Sequence, residues 1–346
     1  MSRIGMKILL IQLKRIGDLI LTTPAIAALR AKFPGADISL IVSSGCSELL
    51  PAIPGLDRTL IARGRISDAA SWFSVAARRF DYCFDFTRND RSAFLTLLSA
   101  AKKRITADHP RHREKLRALS YNEMVECPIR LLHTVDYHLA LLAPLGIRDA
   151  SPLVRLELPT SGFDRADQLR KNNKIAGDFL LFHPGSARAE KFWEADRWAA
   201  LLAWATQEGF PCVITGGNSS LEKAHVAEIR AKTKAPFTDL SGQVDLLTLA
   251  ALIERARLIT TVDSAPMHLA VAMQTPQVVL FGPTNPLHWH PRFSPALILQ
   301  AGHSAPVTEF SARQKPVAMK LISTEQVIDA MKALLAAPRG RTYERT

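Results

Sequence analysis

The chain has 346 residues, of which 47% are hydrophobic and 22% are charged, and it carries a formal net charge of +12. This length favours two domains over one, and the composition is typical of a folded globular protein and excludes a disordered one. No uninterrupted apolar run reaches about 18 residues, so we expect no transmembrane helix. The positive charge favours anionic partners (nucleic acid, nucleotides, phosphorylated sugars or an acidic membrane) without choosing among them.

The first half alternates short apolar strands with helices. Its strand candidates are "KILLIQL", "ISLIVSS", "RTLIAR" and "DYCFDF", and its helices include "AIAALRAKF" and "DAASWFSVAARRF". Strands that are apolar throughout and separated by helix-length segments are typical of a parallel sheet covered on both faces. The opening "MSRIGMKILLIQLKRIGD" has no cleavage-site pattern, so we interpret its apolar run as the first strand and not as a signal peptide.

A segment with two prolines, residues 151–165, interrupts this alternation, and we interpret it as a linker. It separates a first domain, residues 1–150, from a second, residues 166–346, with strands "DFLLFHPG", "PCVITGG", "LITTVDS" and "QVVLFGPTN". The final helix, "STEQVIDAMKALLAA", opens with a capping-box spacing, and the sequence leaves open whether it packs back on the first domain. We therefore predict an α/β fold of two doubly wound, Rossmann-like domains, with ligands bound in a cleft at the carboxyl ends of the strands.

Cysteine and histidine give no indication of a metal site. The cysteines form no Cys-x-x-Cys pair, which fits a reducing cytoplasm and suggests neither zinc nor disulfides. They are Cys46, Cys83, Cys127 and Cys212. The pairs His288 and His290, and His109 and His112, have no acidic or cysteine partner at ligand spacing, so we interpret them as solvated loop histidines.

A carboxylate follows the first strand. In "KRIGD", Asp18 lies where the strand gives way to a helix, and no G-x-G-x-x-G fingerprint surrounds it, so the usual dinucleotide loop is not predicted. Local sequence supports two interpretations of Asp18. It could cap the following helix, or it could face the cleft as a general base.

Polar loops follow the strands of the second half as well. "HPGSARAEKFW" offers small residues together with Ser186 and Lys191, a combination suited to phosphate at a helix amino end. "TGGNSSLEKAH" adds Gly216, and Glu222 is placed to hold a ribose hydroxyl.

Two further loops complete this set. "VDSAPMHLA" places Asp263 and Ser264 at a strand end, with Ala265 and His268 in the following helical turn, and "LFGPTNP" follows the next strand. Asp263 seen alone could be only a helix cap. Four polar loops at successive strand ends nevertheless predict a binding site for a nucleotide or another phosphorylated ligand.

These motifs resemble, in order, those of glycosyltransferase family nine, the ADP-heptose:lipopolysaccharide heptosyltransferases. The resemblance rests on "KRIGDLILTTPAIAALR", "HPGSARAEKFW", "TGGNSSLEK" and the stretch from "DLSGQVD" to "FGPTNPLHW". The Asp-Ser-x-Pro-x-His form and the "FGPTN" that follows it are most similar to the heptosyltransferase III branch, which adds a side heptose to the inner core. The resemblance implies a GT-B architecture, an inverting mechanism without metal or cofactor, and ADP-L-glycero-D-manno-heptose as the donor.

The resemblance also implies roles for single residues. Asp18 matches the catalytic base, Ser186 and Lys191 match residues that hold the leaving diphosphate, and Glu222 matches the residue that binds the ribose. Lys191 is implied to assist catalysis as well. The remaining donor-binding candidates are Gly17, Gly216, Asp263, Ser264, Ala265 and His268.

The implied acceptor is a phosphorylated lipid A–core oligosaccharide, which is anionic and membrane-borne. We therefore expect a cytoplasmic protein that binds peripherally to the anionic cytoplasmic face of the inner membrane. Basic residues of the first half are the candidate acceptor contacts, although a charge run of this kind is as often a solvated face. They are Arg88, Arg91, Lys102, Lys103, Arg104, Arg111 and Arg113.

Other functions remain to be weighed. A family-nine relative acting at another core position or with another sugar nucleotide, as heptosyltransferases I and II do, is the nearest alternative, because a fold does not fix a substrate. A nucleic-acid-binding protein would share the charge, but no helix-turn-helix, zinc or aromatic-stacking signature accompanies it. A dinucleotide-dependent oxidoreductase would share the fold class but needs the fingerprint loop that is lacking here.

Overall fold

The computed structural model describes residues 5–63, 69–107 and 115–337, and the chain divides into two compact units, Met1–Glu157 and Leu158–Thr346. Each unit is built on one six-stranded sheet in which every neighbouring pair of strands is parallel. Helices connect the strands, so the predicted α/β class of two doubly wound halves is confirmed.

The first unit carries strands and helices in alternation. Its strands are β1 (Lys7–Gln12), β2 (Asp37–Ser43), β3 (Arg58–Ala62), β4 (Tyr82–Asp85), β5 (Lys103–Ala107) and β6 (Glu123–Val125). Its helices are α1 (Ile16–Ile20), α2 (Thr23–Lys32), α3 (Ala69–Ala77), α4 (Asp90–Leu98), α5 (Lys115–Ala118) and α6 (Thr134–Ala140). The proline at the second position of α2 occupies a site where the missing amide hydrogen costs nothing.

The core of the first unit forms around β1, whose residues Ile8 to Ile11 are completely buried. Burial on both faces explains why this strand reads as a continuous apolar run, since a strand covered on one side alternates polar and apolar residues. On one face, Val75 of α3 and Leu95 of α4 pack against Leu9 and Ile11.

The second unit repeats this plan. Its strands are β7 (Leu180–His183), β8 (Cys212–Ile214), β9 (Thr238–Asp239), β10 (Leu258–Val262), β11 (Gln277–Phe281) and β12 (Ala296–Gln300). Its helices are α7 (Thr160–Asn172), α8 (Ala195–Gln207), α9 (Ser220–Lys232), α10 (Leu246–Arg255), α11 (Ala265–Met273) and α12 (Thr324–Leu335).

Helix α8 contributes its apolar side to the hydrophobic core of this unit. Trp198, Leu201, Leu202 and Ala205 recur at helical spacing, and all four are buried in one cluster with the apolar residues of the sheet. Helix α12 belongs to the same cluster through Val327, and its capping box of Ser323 and Gln326 is present. None of the helices in the described ranges is long and apolar enough to cross a membrane.

The strand order fixes where ligands can bind in each unit. The orders are β3-β2-β1-β4-β5-β6 and β12-β11-β10-β7-β8-β9, so the direction of winding reverses between β1 and β4 and between β7 and β10. At such a switch point the two connections leave in opposite directions, and a crevice opens at the carboxyl ends of the strands. The loops that follow β1 and β4, and those that follow β7 and β10, therefore form the candidate sites.

Several strands are not predicted from the sequence. The strands β5, β6, β9 and β12 were missed, and β5 lies inside the basic run that we considered as a solvated face. Two of them, β6 and β9, have three residues or fewer, which is too short to show a period. The segment predicted as a linker contains the division between the units, and α7 begins within it at Thr160.

Candidate functional site

Asp18 lies in the first turn of the short helix α1, at the switch point of the first sheet. Its carboxylate accepts a hydrogen bond from the Arg15 amide at 3.4 Å and lies 3.8 Å from the Lys14 ammonium. Behind the loop, the Gln12 side chain donates to the Thr22 hydroxyl at 3.0 Å. Thr22 holds the cap position of the following helix α2, so the interpretation of Asp18 as the cap of that helix is wrong. The carboxylate instead takes part in the capping box of α1, and its role as a general base stays a prediction.

Burial sets the protonation behaviour of this pair. It raises the pKa of Asp18 above the ordinary value of 3.8, although the neighbouring Lys14 charge opposes the change. Burial also lowers the pKa of Lys14, with the Arg88 charge acting in the same direction and Asp18 against it. A carboxylate whose charged form is disfavoured accepts a proton more readily than one in water, which is what a general base requires.

The loop after β4 is fixed beside the loop after β1. The Leu13 amide donates to the Thr87 hydroxyl at 2.6 Å. Asp85, at the end of β4, is completely buried and accepts hydrogen bonds from the amides of Thr87 and Arg88 at 2.8 and 2.9 Å and from the Tyr121 hydroxyl at 2.6 Å. Burial raises the pKa of Asp85, while these donors oppose that rise. Asp85 therefore holds the backbone of the Arg88 loop in place.

Arg88 has the features of a residue held for binding. Its backbone adopts a left-handed φ of 60°, which is unfavourable for a side chain with a β-carbon. Its guanidinium carbon lies 5.0 Å from the centre of the Tyr137 ring. The Nε and Nη1 atoms are buried and have no hydrogen-bond partner within the described ranges. Unpartnered donors on a buried cation are costly, so this arrangement indicates an anionic ligand.

In the second unit, a buried ion pair spans the switch point. Lys191 follows β7 and Asp263 follows β10, and the ammonium lies 2.5 Å from the carboxylate Oδ2 and 3.0 Å from the Asp263 carbonyl oxygen. Thr284, in the loop after β11, donates to the same Oδ2 at 2.6 Å. The carboxylate is therefore engaged by side chains, and the interpretation of Asp263 as a simple helix cap is wrong because Ser264 holds the cap position of α11.

Further predicted residues lie in the segments that follow β7 and β10. Ser186 and His268 are buried, and burial lowers the pKa of His268 to about 4, so its imidazole is neutral near pH 7. The Ser264 hydroxyl donates to the Val262 carbonyl at 3.2 Å. Ala265 begins α11, whose amino end lies beside Asp263 and provides the partial positive charge of a helix terminus.

Glu222 lies between two glycine loops. Its carboxylate accepts from the Gly217 amide at 3.1 Å and from the Ser219 hydroxyl at 2.9 Å. A β-carbon at Gly185 would come within 2.3 Å of Oε1, and one at Gly217 within 2.3 Å of Oε2. A side chain at either position would therefore displace the Glu222 carboxylate. Gly216 is close to Ser241, with 3.1 Å between a β-carbon there and the hydroxyl.

The structure thus brings together some predicted residues at each switch point. In the second unit these are Lys191, Asp263, Ser264, Ala265 and His268, with Glu222 beside the neighbouring loop. In the first unit Asp18, Gly17 of the same helix and Arg88 lie at the carboxyl end of the sheet, and Arg91 is exposed on α4.

Other predicted acceptor contacts lie away from Asp18. Lys102 and Lys103 are at the amino end of β5, the opposite edge of the sheet, where they pair with Asp81 and Glu123 at 2.7 and 2.6 Å. Arg104 donates to the carbonyl oxygens of Ser120 and Ala101. Arg111 and Arg113 lie outside the described residues.

Sequence reasoning missed three residues of these sites. Asp85 ends an apolar strand and Thr284 lies in the loop after another, so position at a strand end was a signal that could have found them. Lys14 was visible four residues before Asp18, but one helical turn between opposite charges is common on ordinary helix surfaces.

The histidine pair that the structure describes, His288 and His290, carries no sign of a metal centre. His290 bonds to the Pro286 carbonyl at 2.9 Å and lies against Phe310, and His288 lies against Trp289. His109 and His112 are outside the described residues. Among the residues that the structure does describe, no group of three or more histidine, cysteine, aspartate or glutamate side chains is arranged to hold a metal ion.

Comparison with known proteins identifies the class of this fold and these sites. Residues 70–316 match the model of glycosyltransferase family 9 (heptosyltransferase). The match spans more than half of the chain, so the chain belongs to this family and is a glycosyltransferase.

Individual relatives agree with this assignment. The chain is 26% identical to lipopolysaccharide heptosyltransferase 3 of Escherichia coli over 329 residues, covering 92% of this chain and 96% of the relative, and 27% identical to the same enzyme of strain K12 over 330 residues, covering 92% and 95%. A solved structure of a family 9 glycosyl transferase from Veillonella parvula has a TM-score of 0.82 at 25% identity and covers 95% of this chain and 97% of that one. The resemblance to the heptosyltransferase III branch, and with it the GT-B fold, is confirmed.

Proposed function

We propose that the protein transfers heptose from ADP-L-glycero-D-manno-heptose to the inner core of lipopolysaccharide, at a position like that used by heptosyltransferase III. The observation that carries the proposal is Asp18, a largely buried carboxylate with a raised pKa at the switch point of the first sheet. The names of the relatives, lipopolysaccharide heptosyltransferases, support the donor and acceptor classes. An attack at a core position typical of heptosyltransferases I or II remains the competing assignment.

In this proposal the second unit binds the ADP part of the donor. The Lys191 ammonium has three donors, two of which point to Asp263, so one is left for a diphosphate oxygen. The amino end of α11 adds positive charge beside it. Together they stabilise the negative charge that grows on ADP as it leaves, without requiring a metal ion. Full activity after exhaustive chelation would support this part of the proposal.

The two glycines around Glu222 provide a test of ribose binding. Replacing Gly185 by alanine forces the Glu222 carboxylate to move, because the new β-carbon would lie 2.3 Å from Oε1. If Glu222 holds a ribose hydroxyl, we expect ADP to bind roughly tenfold more weakly, the loss of about one charged hydrogen bond. Titration calorimetry measures the change. Gly35→Ala, where nothing lies within 4 Å of the new atom, is the matched control, and equal affinities for both variants would contradict the assignment.

Asp18 acts on the acceptor in this mechanism. The acceptor hydroxyl attacks the anomeric carbon of the heptose from the side opposite the diphosphate, and its proton passes to the Asp18 carboxylate. The bond from the anomeric carbon to the diphosphate oxygen breaks with both electrons remaining on ADP. The configuration at that carbon inverts once, and the raised pKa of Asp18 brings the base closer to neutral pH.

Arg88 is proposed to bind an acidic group of the acceptor. Its Nε and Nη1 atoms are buried and have no hydrogen-bond partner among the described residues. The residue before it, Thr87, accepts a hydrogen bond from the Leu13 amide, so an anion bound to Arg88 would lie near Asp18. An arginine offers two parallel donors to a phosphate or carboxylate, which fixes the orientation of the group as well as its position.

Replacing Arg88 by methionine is expected to raise the KM for the acceptor about tenfold or more while leaving the ADP affinity unchanged, because a charged hydrogen-bonded contact is lost from the first unit only. Initial rates at varied acceptor concentration measure this effect. Lys102→Met is the control, since Lys102 is exposed at the opposite edge of the sheet. If Lys102→Met raises the KM for the acceptor more than Arg88→Met does, the acceptor site lies at the basic residues around Lys102 and not at Arg88.

The experiment that decides the proposed function is a transfer assay. Purified protein, ADP-heptose and lipopolysaccharides truncated at successive core positions would be combined, and the products identified by mass spectrometry. Addition of heptose to one truncation only would establish donor, acceptor and position together. Binding of ADP without transfer to any acceptor would leave the family assignment intact and reject the proposed substrates.

We also propose that the protein works at the cytoplasmic face of the inner membrane as a peripheral protein. The support is the net charge of +12 and the membrane-borne nature of the proposed acceptor.

A further inference from the structure

The first unit exposes an unusual number of large apolar side chains on one group of helices. We call these five residues the apolar face. Its members and their exposed fractions are Phe73 (78%), Phe94 (50%), Leu97 (52%), Leu116 (84%) and Leu119 (72%). Isolated exposed apolar residues are ordinary, but a group of this size on neighbouring elements marks an interaction surface.

Contacts between the helices show that the group is contiguous. Trp72 of α3 lies edge-on against Phe94 of α4, with 5.8 Å between ring centres. The turn containing Leu116 and Leu119 is attached to the start of α4 by Arg117, which pairs with Asp90 at 2.9 Å. The apolar face therefore extends across α3, α4 and α5.

The core of the unit does not need these side chains. On α4, Ala93 and Leu95 face inward and are buried, while Phe94 and Leu97 lie three residues apart on the outer side. A surface helix normally carries polar residues there. Helix α4 is thus apolar on both sides, and its outer side has no core to pack against.

Charge distinguishes among the partners that could cover the apolar face. In segments 69–79, 90–98 and 115–119, five residues are basic and Asp90 is the one acid. Arg117 pairs with Asp90 and Arg78 pairs with Asp37 of β2, and the net charge remains positive when both acids are included. The basic residues are Arg78, Arg79, Arg91, Lys115 and Arg117. A second copy would place this positive surface against itself, which like charges oppose. Nucleic acid stacks its bases on aromatic rings and gains little from exposed leucines.

We propose that the apolar face inserts its phenylalanine and leucine side chains into the interface of an anionic lipid bilayer while the exposed residues Arg79 and Arg91 contact the headgroups. Apolar side chains with a basic border are the combination that binds helices to the surface of acidic membranes. This inference rests on the proposed function in one respect, that the acceptor is membrane-borne. It adds the surface by which the enzyme reaches that acceptor.

The position of the apolar face is consistent with such a role. Arg117 donates to the Arg88 carbonyl oxygen at 2.9 Å, so the helix bearing Leu116 lies directly beside the proposed acceptor arginine. A bilayer contacting the apolar face would hold an acidic lipid-linked sugar next to Arg88, and the loop of Arg88 is bonded to that of Asp18 through Thr87.

Vesicle sedimentation tests the inference with the full chain. We expect binding to vesicles of phosphatidylcholine mixed with phosphatidylglycerol, weaker binding to phosphatidylcholine alone, and a decrease with added salt. The double variant Phe94→Ser/Leu97→Ser should lower the affinity for the mixed vesicles by about tenfold or more, because two apolar side chains no longer leave water on binding. Leu116→Ser/Leu119→Ser, on a different helix, should show the same loss.

Two controls keep this result specific. Phe293→Ser removes a phenylalanine that is 49% exposed in the second unit, and it should leave vesicle binding unchanged. Phe94→Trp keeps the residue apolar, and brominated lipid should quench more tryptophan fluorescence in this variant than in the wild type, in which Trp72 already lies beside position 94. Wild-type affinity in both serine pairs, equal weakening by Phe293→Ser, or a dimer in sedimentation velocity that disappears with Phe94→Ser would each overturn the inference.

Failure of the inference and failure of the proposed function have different signatures. With lipopolysaccharide embedded in vesicles, the serine pairs should show a raised KM, whereas with a deacylated, water-soluble core oligosaccharide they should match the wild type. Loss of vesicle binding in the serine pairs without transfer by any form of the enzyme would support the membrane surface and reject the proposed reaction. Heptose transfer by the wild type, together with unaltered vesicle binding in the serine pairs, would support the proposed reaction and reject the membrane surface.

Discussion

Asp18→Asn is expected to lower kcat by about a thousandfold, within the range that general acid–base catalysis contributes. Asparagine has nearly the same shape and keeps an oxygen that can accept the Arg15 amide hydrogen, so the first turn of α1 remains capped. What it cannot do is take the acceptor proton. The measurement is the rate of heptose transfer at saturating donor and acceptor, with ADP affinity determined in parallel and expected to be unchanged.

A matched control separates catalysis from charge. Asp149→Asn removes an exposed carboxylate of the same unit and should leave kcat near the wild-type value. If Asp18→Asn retains more than about a tenth of the activity, which is far above the expected loss, Asp18 is not the base. Another group would then have to take the proton, and the search would turn to the other titratable residues of this loop cluster.

The pH dependence gives the same hypothesis a second readout. A base works only when deprotonated, so activity should fall as the pH decreases through the pKa of Asp18, which burial raises. The Lys14 charge opposes that rise from 3.8 Å. Removing it with Lys14→Met should therefore raise the pKa of Asp18 further and move the acid limb of kcat to higher pH, while Lys14→Arg should restore it. An acid limb that does not move would show that Lys14 and the base are not coupled.

Much of the fold is predictable because burial imposes simple patterns. Residues Ile8 to Ile11 of β1 are all apolar since helices cover both faces of the strand, and α8 shows a period of 3.6 since one side faces the sheet. The strands that were missed lack such patterns. β5, "KRITA", begins with two charged residues at the amino ends of the strands, and only its last three residues are buried. Local sequence cannot separate such a strand from a basic loop.

The candidate sites were predictable in their positions but not in their partners. Residues after a strand of a doubly wound sheet face the ligand crevice, and this rule placed Asp18, Lys191 and Asp263. Which loops meet depends on strand order, and strand order comes from tertiary packing. The pairing of Lys191 with Asp263, 72 residues apart, could not be deduced from spacing, nor could the distance of Lys102 from Asp18.

A substitution in the Lys191–Asp263 pair should destabilise the second unit strongly. Asp263→Ala is expected to lower the free energy of unfolding by about 3–5 kcal/mol, because it leaves the buried Lys191 ammonium without its anion. Both side chains are about nine-tenths buried, so solvent screens the pair little. Urea unfolding followed by tryptophan fluorescence measures the effect on the second unit, since all tryptophans except Trp72 lie in it.

The double variant Lys191→Met/Asp263→Leu distinguishes stability from function at this pair. It removes both charges together and replaces them with apolar side chains, so it should recover most of the lost stability, as replaced buried ion pairs commonly do. It should not recover ADP binding, because the ammonium that we propose for the diphosphate is gone. Recovery of both would mean that the ion pair only supports the fold and that other groups hold the phosphates. Recovery of stability alone would mean that the chain keeps a costly buried charge at the switch point because the donor needs it.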